Sequence, residues 1–424
     1  MTDFLRSTTT SRRTVLAGAG ALAVGAALGS TAPRASAAPL PAPADSGIDH
    51  IIVVMMENRS FDHYLGWLPG ANGRQAGLTF TDRNGLAHNT FHLATTQGCQ
   101  YNDPDHSFEG GRVEYNDGKC DGWLRAGTND EFSIGYYEQG DLGFYGNAAP
   151  AWTVCDNYFS AIMAETYPNR FYQHAAQTDR IHNSTTISTL PTIWDRLAAA
   201  GIQGRYYFYD TPFLALWGSK YLSISRPFAT FLSDCAAGTL PAVSFVDPKF
   251  LDEDTGTSAD DHPHADIRAG QAFLNQVYQA VTNSPAWSRT LLIINYDEWG
   301  GFFDHVPPQV APDANPDWGL RGFRVPCLVI SPLARRGHVA HEVYDHTSVL
   351  KAIEWRWGLP SLTPRDAAAR NIAEVLDFGS APNLAAPQWN VPPAPPGVCA
   401  PAVVADFEQW NTLRAVAAST GWSL

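Results

Sequence analysis

The sequence predicts an α/β fold with a mainly parallel central sheet flanked by helices, and three observations carry that prediction. Residues 51–56 and 290–296 are continuous apolar runs, the mark of strands buried on both faces of a parallel sheet. Further strand-like runs at 205–209, 242–246 and 325–331 alternate with helical stretches at 169–177, 192–200, 266–281 and 347–357. A chain of 424 residues with 45% hydrophobic and 12% aromatic content has ample material for a large core.

Each segment has its own signal. Arg12 and Arg13 precede a short apolar run, followed by Ala35-Ser36-Ala37. The run is too short to span a bilayer, so residues 1–37 read as a twin-arginine signal peptide, which implies the twin-arginine export machinery and a secreted product. Residues 38–48 read as a linker, 49–381 as the catalytic domain, and 382–424 as a Pro-rich segment with a C-terminal helix within 403–424. Residues 70–150, rich in Gly, Asn, Asp and Tyr, read as a loop-rich excursion or lid. Its nine aromatic residues from Tyr101 to Tyr145 either pack inward or touch a lipid.

The formal charge is -14. Removing residues 1–37 takes four arginines and one aspartate with it, leaving -17. So acidic a chain lacks the basic stripe of a nucleic-acid binder. None of the six cysteines forms a CxxC pair, which excludes a zinc ribbon. Cys99 and Cys120, both in polar loop sequence, are the first choice for a disulfide; Cys327, inside an apolar run, reads as a buried free thiol.

Chemistry collects at the strand ends. Glu57-Asn58 follows one apolar run and Asp297-Glu298 the other, and in open α/β sheets ligands bind beyond the carboxyl ends of strands. Hard oxygen donors from two such ends suit a divalent cation. Ca2+ is the first choice, with Mg2+, Mn2+ or Zn2+ open. Thr166 precedes Tyr-Pro-Asn-Arg and reads as the N-cap of a helix, where free N–H groups favour a phosphate. His106, His305 and His346 each follow an aspartate, and His262 closes the acidic loop 252–261; an imidazole there can protonate an alkoxide leaving group or bind a phosphoryl oxygen. Asp252, Asp254, Asp260 and Asp261 read as a solvated acidic loop, with a second ion as the alternative. No Walker A motif, nucleophile elbow or dinucleotide fingerprint is present.

Met56-Glu57-Asn58-Arg59-Ser60-Phe61-Asp62-His63, Thr166-Tyr167-Pro168-Asn169-Arg170, Asp297-Glu298-Trp299-Gly300-Gly301-Phe302-Phe303-Asp304-His305-Val306 and Asp345-His346-Thr347-Ser348 together resemble the bacterial phosphoesterase family. That family holds the non-haemolytic type phospholipases C and related acid phosphatases. The resemblance implies an alkaline-phosphatase-like fold. It implies metal ligation by Glu57, Asn58, Thr166, Asp297 and Glu298, with Thr166 also the nucleophile. His262 and His305 would serve the phosphoryl or leaving group, with His106 and His346 as weaker matches. Acid phosphatases of the group use serine where the phospholipase branch shows threonine.

The expected activity is a secreted, monomeric, metal-dependent phospholipase C acting on phosphatidylcholine or phosphatidylethanolamine at a membrane or micelle surface. It would proceed through a phospho-threonine and release diacylglycerol. The alternatives are an acid-phosphatase-type phosphomonoesterase and a non-catalytic exported binding protein.

Overall fold

The computed structural model describes residues 39–253, 255–394, 397–399 and 408–424. The expected signal peptide, Asp254 and residues 400–407 of the tail lie outside the described residues. The elements that frame the site are strands β1 (His50–Met56), β2 (Thr153–Cys155), β3 (Gly204–Phe208), β4 (Ser225–Pro227), β5 (Val243–Val246), β6 (Thr290–Tyr296), β7 (Cys327–Ile330) and β8 (His338–Ala340), and helices α1 (Phe61–Leu65), α2 (Phe108–Tyr115), α3 (Thr166–Ala175), α4 (Ile193–Ala199), α5 (Ile267–Thr282), α6 (His346–Trp357) and α7 (Trp410–Ser419).

The eight strands form one sheet in the order β8-β2-β7-β6-β1-β5-β3-β4. The pairs β6–β1, β1–β5, β5–β3 and β3–β4 are all parallel. β7 alone runs against its neighbours, pairing antiparallel with both β6 and β2. The predicted α/β class therefore holds, with one reversed strand that an apolar run could not reveal. Ile51 to Met56 and all of β6 are buried, as strands covered on both faces must be.

Most expected elements appear within one or two residues. α3 begins three residues earlier than periodicity suggests, because Pro168 is accepted inside the first turn, where its missing N–H costs nothing. The 325–331 strand shrinks to Cys327–Ile330. The 70–150 excursion is structured: it contains the hairpin Thr79–Thr81/Ala87–Asn89 and α2. Trp123, Phe132, Tyr137, Phe144 and Tyr145 are all buried. These aromatics are core, not a lipid-facing belt.

The expected Cys99–Cys120 bridge does not form. Cys99 joins Cys399, 300 residues away, with a Cα–Cα distance of 5.1 Å. Cys120 instead packs with Phe80, Trp123 and Phe303 as a buried thiol, pushed up to about 12 by burial. Cys327 is buried and free, as its apolar setting implies. No helix among the described residues is long and apolar enough to cross a membrane.

Asp345 shows how the helices are fixed. It caps α6, accepting from Thr347 N at 2.9 Å, while Ser348 answers its own backbone N–H. Its other oxygen meets Arg321 at 2.6 Å and Arg365 at 3.2 Å. Burial pushes this carboxyl up, but Arg365 and Arg321 pull harder and hold it well below the usual range. The folded value lies below the unfolded one of ~3.9, so its stabilisation is complete above that pH and fades as pH falls further. Asp345→Asn should keep the cap yet lose about 3 kcal/mol at pH 7. Urea denaturation at pH 7 and at pH 2.5 checks this; the gap between wild type and variant narrows at the lower pH.

Candidate functional site

The sheet register builds the site. Met56 pairs with Tyr296 across β1 and β6, so the next residues, Glu57 and Asp297, leave the sheet side by side. Asp297 N donates to Met56 O at 3.1 Å, extending the ladder by one bond. β5 ends two positions earlier, pairing Val246 with Val54, and delivers Asp247 to the same edge. Asn58 then turns with φ of 60°, a left-handed geometry that Asn tolerates better than most side chains. Gly300, φ 64°, packs against that turn: a Cβ there would lie 2.1 Å from Asn58 O, so only glycine fits.

Thr166 sits in the first turn of α3 and is fully buried. The N-cap is Glu165, not Thr166, which places the threonine one residue inside the helix. Its Oγ1 lies 3.4 Å from Asn58 Oδ1 and donates to the Glu408 carboxylate. Asn58 N donates to Asp297 Oδ1 at 3.2 Å, and Glu298 accepts from Gly300 N at 2.7 Å. The chain thus brings Glu57, Asn58, Thr166, Asp297 and Glu298 to one end of the sheet.

Arg170, one turn along α3 from Thr166, is the fixed cation of this edge. Its guanidinium lies 3.1 Å from Glu57, 3.1 Å from Asp297 and 3.4 Å from Asp247. It also donates to the carbonyls of Met55 and Met56. One arginine cannot satisfy three acids. Glu57 Oε1 and Oε2, Asn58 Nδ2 and Glu298 Oε1 have no aimed hydrogen-bond partner although buried. Burial pushes Glu57 and Glu298 well above the usual carboxylate range and Asp297 up to about 6. Buried oxygens without donors, on acids that resist ionising in isolation, fit a divalent cation of the hard, oxygen-preferring kind.

The histidines separate sharply. His106 Nε2 meets Glu408 Oε1 at 2.8 Å; burial lowers its affinity for a proton, but Glu298 and Glu408 raise it further, so it is held protonated. His262 is fully buried with neither ring nitrogen hydrogen-bonded, and burial together with His264, His106 and Arg59 keeps it neutral. Its backbone is fixed by Arg59, whose guanidinium donates to Asp261 O and His262 O. His305 goes elsewhere. It bonds Asp62 at 2.5 Å and Asn72 at 3.2 Å, next to Arg324, and makes no contact with the Thr166 group. His346 lies beneath the sheet edge, bonded to Tyr296 O at 3.0 Å and kept neutral by burial, lowered to about 4.

Among the described residues, two groups of acid or imidazole ligand atoms lie within 4.8 Å of one another: Asp62, Asp304 and His305, and Glu57, Glu253 and Asp260. Arg324 already fills the first, 3.0 Å from Asp62 and 2.9 Å from Asp304. The second joins Glu57 to the acidic loop, so Glu253 and Asp260 are buried partners, not solvated surface acids.

Glu408 is the residue that sequence reasoning missed. It arrives from the tail, is 2% exposed, and binds His106, Asn183 and Thr166. Burial raises its carboxyl, but His106 and the hydrogen bonds lower it below the usual value, so it is charged. A cavity of about 660 Å³ opens here, lined by Tyr101, Asp103, His106, Asn183, Glu408 and the Cys99–Cys399 bridge. No motif marks Glu408, and 242 residues separate it from Thr166.

The sequence model described as the phosphoesterase family matches residues 48–360, which include the strand ends, α3 and the histidine loop. The chain belongs to the phosphoesterase family. Phospholipase C A of Mycobacterium tuberculosis is 30% identical over 428 residues, spanning 81% of this chain and 80% of that protein. Non-specific phospholipase C1 of Arabidopsis thaliana is 31% identical, spanning 80% and 73%. Non-hemolytic phospholipase C of Pseudomonas aeruginosa is 30% identical, spanning 80% of this chain and 59% of its own length. Among solved structures, an alkaline phosphatase superfamily protein from Vibrio parahaemolyticus aligns at a TM-score of 0.39 and 9% identity over 77% of this chain and 70% of that one. The α/β class rests on the sheet order itself. This phosphoesterase is a hydrolase of phosphoric esters.

Arg170→Met should cost the metal-free phosphoesterase about 3–5 kcal/mol at pH 7, because three buried acids lose their counter-charge. Asp247 and Asp297 are each pushed up to about 6 in the fold, above their unfolded value, so they gain protons on folding. The deficit should therefore shrink as pH is lowered toward 5, read by urea denaturation in chelator.

Proposed function

We propose that this phosphoesterase is a secreted, metal-dependent phospholipase C that cleaves the glycerol-side phosphodiester of zwitterionic phospholipids. The observation that carries the reading is the meeting of Thr166 Oγ1, at a helix N-terminus, with Asn58 and Glu408 beside buried acids that lack donors. Glu57, Asn58, Thr166, Asp297 and Glu298 would hold the cation. Bound there, it would neutralise charge developing on the phosphoryl oxygens and acidify the threonine hydroxyl.

The chain's own groups account for the rest. Thr166 Oγ1 attacks phosphorus in line and passes its proton toward Glu408, the carboxylate it already faces. The bond from phosphorus to the glycerol oxygen breaks, and that oxygen takes a proton from His106, which its two acid neighbours keep charged. Neutral His262, whose Nε2 lies 3.5 Å from Asp103 and whose Nδ1 has no hydrogen-bond partner, would hold a phosphoryl oxygen. Water then cleaves the phospho-threonine, releasing the phosphorylated head group after diacylglycerol has left. The acid role thus moves from His262 or His305, favoured by the sequence motifs, to His106.

The net charge of -14 disfavours anionic lipid surfaces, which supports phosphatidylcholine or phosphatidylethanolamine as substrate. The twin-arginine reading of residues 1–37 supports export.

Thr166→Ala should lower kcat by at least about 10³-fold with folding and cation binding retained, while Thr166→Ser keeps partial activity. EDTA should abolish turnover and Ca2+ restore it. A comparison of p-nitrophenylphosphorylcholine with p-nitrophenyl phosphate should favour the diester; faster monoester turnover would replace this reading with an acid phosphatase.

A further inference from the structure

The acids at the carboxyl edge of the sheet outnumber what one divalent ion can compensate. Glu57, Asp247, Glu253, Asp260, Asp261, Asp297 and Glu298 are each at most 5% exposed. The arginines among them are Arg59 and Arg170. Seven buried carboxyl groups thus share a nearly dry region with two guanidinium groups. Glu408 adds nothing to the count, being matched by His106. Buried carboxyl groups in excess of their counter-charges must keep protons or bind a cation.

The geometry shows where a second cation fits. Glu57, Glu253 and Asp260 each present a carboxylate oxygen, and these atoms lie within 4.8 Å of one another. Ca2+ takes oxygens at 2.3–2.6 Å, so its ligands stand roughly 3.3–5 Å apart, depending on whether they are adjacent or opposite. Asp260 Oδ1 is spent on Ser258 Oγ at 2.6 Å and His262 N at 2.9 Å. Its Oδ2 is buried with no hydrogen-bond partner. Glu57 carries two oxygens that no donor is aimed at, enough to serve both positions. Glu57 N also donates to Asp260 O at 2.8 Å, which ties the acidic loop to the end of β1. Arg170 approaches Glu57 from the side of Asp297 and Asp247.

We infer that Glu57, Glu253 and Asp260 bind a second hard divalent cation of the Ca2+ class, with Glu57 shared between it and the ion of the Thr166 set. The inference builds on the first ion proposed above. Asp260 also accepts from the His262 N–H at 2.9 Å, so the second ion would position that histidine. It would also cross-link residues 252–261 to the sheet.

The test is the metal content of the full chain, stripped with chelator and titrated with Ca2+ by calorimetry, with bound metal counted by mass spectrometry after dialysis. The wild type should hold two ions per chain. Glu253→Gln should hold one, and Asp260→Asn should match it; circular dichroism of each variant confirms the fold, and Glu253→Gln stands alone should Asp260→Asn fail to fold. Asp297→Asn should also hold one. Both stripped loop variants should lose the Ca2+-dependent rise in Tm that the second ion gives the wild type. A single ion that Asp297→Asn removes and Glu253→Gln leaves overturns the second site and preserves the first. A single ion that Glu253→Gln removes and Asp297→Asn leaves keeps the Glu57–Glu253–Asp260 site and overturns the Thr166 set. No bound ion in the wild type overturns both.

Discussion

The parallel register between β1 and β6 is the constraint on which the site depends. Met56 opposite Tyr296 puts Glu57 and Asp297 abreast as they leave the sheet. A slip of one residue would turn every side chain of β1 to the other face and send Glu57 out of the group. In this register Ile51 to Met56 and the whole of β6 are enclosed, and seven consecutive residue pairs run from His50–Thr290 to Met56–Tyr296. The carboxyl edge can carry so many acids because the rest of the sheet is apolar and tightly paired.

That edge is a case of stability given up locally for chemistry. Acids buried beside one another repel, and Arg170 relieves only part of the repulsion. Its position on α3 couples the charge balance to Thr166, since both side chains leave the same helix one turn apart. Arg59 does similar service on the other side, holding the Asp261 and His262 carbonyls and stacking over Phe302 at 4.8 Å. The two arginines are framework cations: their partners are fixed by the fold, which leaves the donor-free oxygens of Glu57 and Glu298 for an ion from solution.

Much of this was legible in the sequence because it is local. Apolar runs ending in Glu57-Asn58 and Asp297-Glu298 announce strand ends, and strands of a parallel sheet must discharge their ends on one side. Gly300 reads as a turn glycine, and the structure supplies the reason in the carbonyl of Asn58. What could not be read was set by distant pairings. Nothing near Glu408 marks it as a partner of Thr166. Cys99 and Cys120 share polar loop sequence, which says little about where a long tail returns. His305 sits in an Asp-His pair that looks catalytic, but Asp62 and Arg324 claim it for the scaffold. Glu253 and Asp260 resemble solvated loop acids until the loop is seen folded against β1. The excursion's aromatics were ambiguous because composition cannot tell a lid from a core.

The Cys99–Cys399 bridge gives the site a dependence on its surroundings. Cystine links persist in oxidising compartments and are opened where glutathione keeps thiols reduced. The segment carrying Glu408 is fastened to the body by this one covalent link, helped by the stacking of Trp410 on Phe250 at 3.9 Å. With that link open, Glu408 would still be held by His106, Asn183 and the Trp410 stack, but without the covalent tether. The covalent part of the tether therefore depends on the redox state of the compartment that holds the chain.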